Sequence, residues 1–185
     1  EEFCIEAGAE VAYLDEEELI EVDLPDAYYH RRVSVPRIIL DCDALIDVPK
    51  MKTHWLCNAT LGIKNLQGIL PLKEKIMYHR EDIHQKLVDI LRIKKPVFTL
   101  LDGLVAMEGQ GPRCGNLVEM NTLVAGQDVV AVDSVTSYIM GFDPLEIAEV
   151  RIAASEGMGI ADLNRIEVKG ENIDRLRRPF KRPTR

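Results

Sequence analysis

Residues 48–71 read VPKMKTHWLCNATLGIKNLQGILP, and the fold follows from how this stretch alternates. Lys50, Lys52 and His54 occupy every second position, so in an extended segment they share one face. Met51, Thr53 and Trp55 take the other face, turned towards apolar packing. Asn58 is a good helix N-cap, and the spacing predicts a short helix over residues 59–67, ended by Gly68 with Pro71 beyond. On that helix Thr60, Lys64 and Gln67 form one stripe, and Ala59, Ile63 and Leu66 another. A strand with cations on one face thus leads into a helix N-terminus whose free N–H groups also favour anions. Such a unit suits a phosphate, a carboxylate or a polyanionic cofactor. The plainer alternative is an edge strand whose solvated lysines discourage edge-to-edge pairing.

The surrounding chain is one domain's worth of sequence. Its 185 residues, 46% hydrophobic and 29% charged, are enough for a full core and too apolar for a disordered chain. No run approaches the roughly 18 apolar residues of a membrane span, and no signal peptide is legible. The opening EEFCIEAGAE reads like the tail of a helix, so an N-terminal segment of a longer protein is expected before it. The layout expected is a single α/β domain over residues 1–174 and a basic tail or linker over 175–185.

Charge is unevenly spread. Residues 1–26 hold eleven acids and no base, whereas residues 27–100 hold thirteen bases against seven acids. Residues 101–174 return to thirteen acids against four bases. A basic middle inside a chain of net charge −8 points to a local anion site and away from nucleic acid, whose binders tend to be basic overall. Cys4, Cys42, Cys57 and Cys114 are far apart with no C-x-x-C pair, which argues against an iron–sulfur cluster or zinc site built by this segment alone. Free thiols fit a reducing, cytoplasmic setting.

Outward from the central stretch, strands are expected near residues 10–14 and 19–24, with the acidic run 15–18 between them. A short helix opens after Pro36, and ALIDVPKM (44–51) reads as a buried strand. Ile83, Leu87, Ile90 and Leu91 keep the 3.6 period of an amphipathic helix between residues 76 and 95. His84 flanks its apolar stripe and His79 lies just before it; packing at the helix margin is the commoner role for each.

VFTLLDG (97–103) is a buried strand ending in Asp102–Gly103. In open α/β sheets ligands bind beyond the carboxyl ends of the strands, which makes Asp102 a candidate site group. The following residues, LVAMEGQGPRCGNLVEM, read as a long binding loop. In it Gly109, Gly111 and Gly115 allow close backbone approach, and Glu108 and Arg113 supply opposite charges. NTLVAG (121–126) is a further strand, and Asp128 caps a helix ending at Gly141. Asp133, an acid among Val and Ala in that helix, needs a partner: a lysine, a backbone group or a metal. Asp143–Pro144 starts the next helix, and RIEVKG (165–170) reads as a last strand. Alternating elements of this kind predict an α/β layer fold, a mixed or largely parallel sheet with helices on both faces.

The runs PKMKTH and TLGIKNLQG, then His79, LLDGLVAMEGQGP and AGQDVVAVDSV, resemble domain-of-unknown-function family 362. The resemblance covers about residues 35–170. It implies frequent association with a ferredoxin-like iron–sulfur module, which this sequence lacks, and it supplies no reaction. Its polar signature falls on Lys50, Lys52, His54, Lys64, Asn65, His79, Asp102, Glu108, Gly109, Gly111, Asp128 and Asp133.

The leading expectation is an α/β enzyme or ligand-binding domain acting on a small phosphate- or carboxylate-bearing molecule. Lys50, Lys52, Lys64, Asn65, Gly109 and Gly111 would hold the anion. His54 or His79 would serve as general acid or base. Asp102 and Glu108, with Asp133 in support, would bind a divalent metal or take a proton. The alternatives are a redox-associated protein docking a ferredoxin-like module, and a non-catalytic interaction domain.

Overall fold

In the computed structural model, which describes residues 2–29, 31–73, 75 and 82–184, the chain opens with α1 (Glu2–Glu6), β1 (Leu19–Asp23), β2 (Arg32–Pro36) and α2 (Arg37–Asp41). The central stretch gives β3 (Ile46–Asp47), β4 (Lys50–His54), β5 (Asn58–Thr60) and α3 (Gly62–Asn65), the last continuing as a 3-10 turn over Leu66–Ile69. Then come α4 (Ile83–Ile90), β6 (Phe98–Glu108), β7 (Asn116–Gly126), α5 (Val129–Ile139), α6 (Ala148–Ser155) and α7 (Ile173–Leu176).

The expected α/β architecture is present, built on a five-stranded mixed sheet beside a two-stranded β1–β2 hairpin. β3 and β4 lie end to end, both parallel to β6: Ile46 faces Phe98 and Lys50 faces Asp102. They are one strand interrupted at Pro49, whose carbonyl still accepts the Asp102 amide at 2.8 Å. A prolyl nitrogen has no hydrogen to give the ladder, so the predicted 44–51 strand breaks there. β5 pairs antiparallel with β4, and β7 pairs antiparallel with the other edge of β6.

Alternation decides what is buried. Leu101, Ala106, Met51 and Val118 form an inward row, packed with α5 residues Val129, Val130 and Val132 and with Ile63, Leu66 and Leu87. The alternate row, with Lys50 and Asp102 half-buried and Leu123 exposed, looks outward.

Several local expectations change. Asn58 does not cap a helix: it sits at φ 63° and closes the β4–β5 hairpin opposite His54. Thr60 therefore belongs to a strand, and helix starts only at Gly62. Residues 104–120, read as a loop, mostly continue β6 and β7, with 109–115 as their connection. Residues 10–14 and 165–170 form no strand. The basic tail packs against the domain. Phe180 is buried, its amide donates to the Met140 carbonyl, and the Arg178 amide donates to that of Ile139.

Candidate functional site

The cationic strand and the glycine loop meet. Trp55 N donates to the Gly111 carbonyl at 3.3 Å, and Thr53 Oγ1 donates to the Gly109 carbonyl at 2.8 Å. Gly111 is required there, because a Cβ on it would lie 2.0 Å from the Thr53 carbonyl oxygen. Gly109 adopts φ 76°, and its amide donates to the Lys181 carbonyl. Beyond the carboxyl ends of β4 and β6 this contact leaves a cleft of about 370 Å³, lined by His54, Trp55, Gln110, Gly111, Arg113 and Cys114. A larger hollow of about 600 Å³ lies between β7, α5 and residues 166–176. Of its charged lining residues three are acidic (Asp128, Glu167, Glu171) and one is basic (Lys169), so the smaller cleft, whose charged lining residue is Arg113, is the better candidate for an anion.

The lysines divide among different environments. Lys50 Nζ lies 2.6 Å from Asp102 Oδ2, and both side chains are partly exposed. That ammonium, followed by the Leu104 amide on the other oxygen, holds the Asp102 carboxyl below the usual carboxylate range. Lys52 is half-buried beside Met107 and has no ion-pair partner among the described residues. Lys64 is turned inward and donates to Gln67 Oε1, and its burial lowers the ammonium's pKa.

His54 was expected on the lysine face, yet it is only 3% exposed. The chain turns at residues 55–57, and its Nδ1 accepts the amides of Leu56 and Cys57 at 3.1 and 3.2 Å. An Nδ1 lone pair used in this way places the ring proton on Nε2. The ring forms a wall of the cleft. Trp55, expected in apolar packing, stacks beside that ring with centroids 6.3 Å apart and is half exposed. His79 lies outside the described residues.

Asp102, Glu108 and Asp133 are not brought together. Glu108 Oε2 accepts the Lys181 amide at 2.9 Å. Asp133, 1% exposed, accepts the Gly62 amide at 2.7 Å and the Ile63 amide at 2.9 Å. The protein's own carboxylate thus occupies the helix N-terminus expected to receive an anion. Burial drives the Asp133 carboxyl's pKa well up; the two amides oppose this, and the charges of Asp47 and Glu149 reinforce it. Asn65 is likewise engaged, donating to Asp47 Oδ1 at 2.7 Å. Asp47 Oδ2 is buried without a hydrogen-bond partner, and burial raises that carboxyl to about 6 against the pull of Asn65. Asp128 caps α5 through the Val130 and Ala131 amides and also receives the Ile160 amide, each at 2.9–3.3 Å.

A second polar group was not foreseen as a unit. Cys57 in the β4–β5 turn, His84 on the first turn of α4 and Glu149 on the first turn of α6 place one ligand-type atom each within 4.8 Å of one another. His84 Nδ1 lies 2.8 Å from Glu149 Oε2. The Cys57 thiol is pushed up by burial and further by the Glu149 charge. His84 was legible as a helix-margin residue. Cys57 and Glu149 carry no local signal, since only the packing of three distant elements unites them.

What these features define is a mixed α/β domain with a cleft at the carboxyl ends of two parallel strands and a Cys–His–Glu group where the β4–β5 turn meets α4 and α6. The chain belongs to the family described as "Domain of unknown function (DUF362)", whose model matches residues 1–138. Glu149 lies beyond that match. The chain is similar to the "Thylakoid-associated protein sll1697" of Synechocystis sp. (strain ATCC 27184 / PCC 6803 / Kazusa), with 36% identity over 141 residues. The match covers 73% of this chain and 43% of that protein, so the chain spans under half the length of the relative. No solved structure matches the chain. Among the described residues no helix is long and apolar enough to cross a membrane.

Proposed function

We propose that this domain binds a small phosphate- or carboxylate-bearing molecule in the cleft between the 54–55 turn and the 109–115 loop. The observation that supports this is the joining of Trp55 and Arg113 across one cleft through the Trp55–Gly111 backbone bond. Arg113 is exposed and, among the described residues, has no ion-pair partner, so its guanidinium offers paired donors to an anion's oxygens. The half-exposed indole of Trp55 offers a flat surface for an attached ring or chain. Lys50 and Lys52, on the outward row of β4, add positive potential along the approach, and the Lys50 charge is partly cancelled by Asp102. Lys64 and the N-terminus of α3 contribute to internal packing in this reading, because Gln67 and Asp133 engage them.

The test is calorimetric titration with inorganic phosphate, pyrophosphate, and mono- and dicarboxylates. One saturable site is expected, weakened about tenfold or more by Arg113→Ala, which removes a charge-assisted bidentate contact. Equal binding by Arg113→Ala, or none by the parent chain, overturns the reading.

A further inference from the structure

We propose that Cys57 Sγ, the His84 imidazole and the Glu149 carboxylate bind one zinc-class divalent cation, with a fourth coordination position facing solvent beside His84. This goes beyond the anion cleft and does not depend on it.

Donor chemistry comes first. A thiolate, an imidazole and a carboxylate form the mixed S, N and O set that suits zinc and its close transition-metal neighbours, whereas calcium and magnesium take oxygen alone. Placement comes second. All three atoms lie within 4.8 Å of one another. Tetrahedral bonds of about 2.0–2.3 Å separate neighbouring ligand atoms by roughly 3.3–3.7 Å. His84 Nδ1 and Glu149 Oε2, now 2.8 Å apart, would open by only about half an ångström to admit the ion between them.

Surroundings come third. Cys57 is fully buried and Glu149 is 2% exposed, while the His84 side chain is 32% exposed. The site is therefore closed on the thiol and carboxylate side and open to solvent at the imidazole, so a water would complete the four ligands. The backbone holds the thiol in place, because the Cys57 amide donates to His54 Nδ1. A thiolate and a carboxylate together neutralise the two charges of the ion. A cation here would also tie the β4–β5 turn to α4 and α6, three elements far apart in sequence.

Cobalt(II) titration of the metal-stripped full chain tests this directly. The expected result is one equivalent bound, with the visible bands of four-coordinate cobalt and a near-ultraviolet thiolate-to-metal charge-transfer band. Cys57→Ser should lose the charge-transfer band. His84→Gln, at the more exposed position, should keep its circular dichroism and weaken binding by about tenfold or more. Arg113→Ala should leave the cobalt spectrum unchanged, which separates this site from the cleft. A parent chain with no four-coordinate spectrum, a charge-transfer band that survives Cys57→Ser, or a folded His84→Gln variant with parental affinity would each overturn the proposal.

Discussion

Asp133 Oδ1 lies 2.7 Å from the amide nitrogen of Gly62, seventy-one residues earlier in the chain. With the Ile63 amide on its second oxygen, this carboxylate replaces the side-chain N-cap that α3 lacks. Gly62 allows the approach, since a Cβ there would stand 2.6 Å from Val129 Cγ2 and 3.0 Å from Asp133 Oδ1. Asp133→Ala leaves two buried amides without an acceptor and should cost about 2–4 kcal/mol in urea unfolding. Asp133→Asn, which keeps one acceptor oxygen, should fall between the two. A loss below about 0.5 kcal/mol for the alanine variant would show that the cap is dispensable.

Asp47 should make stability fall with rising pH. Its folded carboxyl titrates near 6 against an ordinary value of 3.8, so the folded state holds the proton more tightly than the unfolded state. Its contribution is fully present below about pH 4, declines as pH rises through 6, and is gone about a unit above that. Asp47→Asn has no such proton to lose. The parent's stability relative to this variant should drop by on the order of 2 kcal/mol between pH 4 and pH 7. Parallel stability–pH curves for the two proteins would contradict the assignment.

Gly111→Ala should displace the 109–115 loop from β4, because its methyl group would overlap the Thr53 carbonyl. A cost of about 1–3 kcal/mol is expected by thermal denaturation, together with weaker anion binding. Unchanged stability and binding would mean that the loop's seat on Thr53 is immaterial.

Phe180, 5% exposed, anchors the basic tail. Around it Glu108 Oε2 accepts the Lys181 amide, and Arg182 pairs with Glu146 at 2.8 Å while lying over the Phe142 ring. Phe180→Ala should cost about 3 kcal/mol by chemical denaturation. Arg182→Ala, which removes a half-exposed pair, should cost less than about 1 kcal/mol.

The α/β character, α5 with its Asp128 cap and the meeting of the 50–55 strand with the glycine loop are all legible in the residues. Each rests on local signals: Val- and Ile-rich runs, a capping side chain, glycines grouped beyond a strand. What failed was non-local. Asn58 reads as a helix cap, and hairpin closure at positive φ overrides that preference. The helix N-terminus after it looks open to an anion until Asp133, from a distant helix, fills it. Lys64 reads as one of a polar helix stripe with Thr60 and Gln67, yet it is buried and donates to Gln67 Oε1. No window of sequence contains Cys57, His84 and Glu149 together, so their grouping is visible only once α4 and α6 pack beside the β4–β5 turn.

Trp55 is the chain's single tryptophan and lines the cleft, so its fluorescence reports on that site without a label. Titrating the chain with phosphate, pyrophosphate and small dicarboxylates should give a saturable change in Trp55 emission for at least one of them, absent in Arg113→Ala. Emission that stays constant across every anion, or that changes identically in parent and variant, would contradict an anion site between the 54–55 turn and the 109–115 loop.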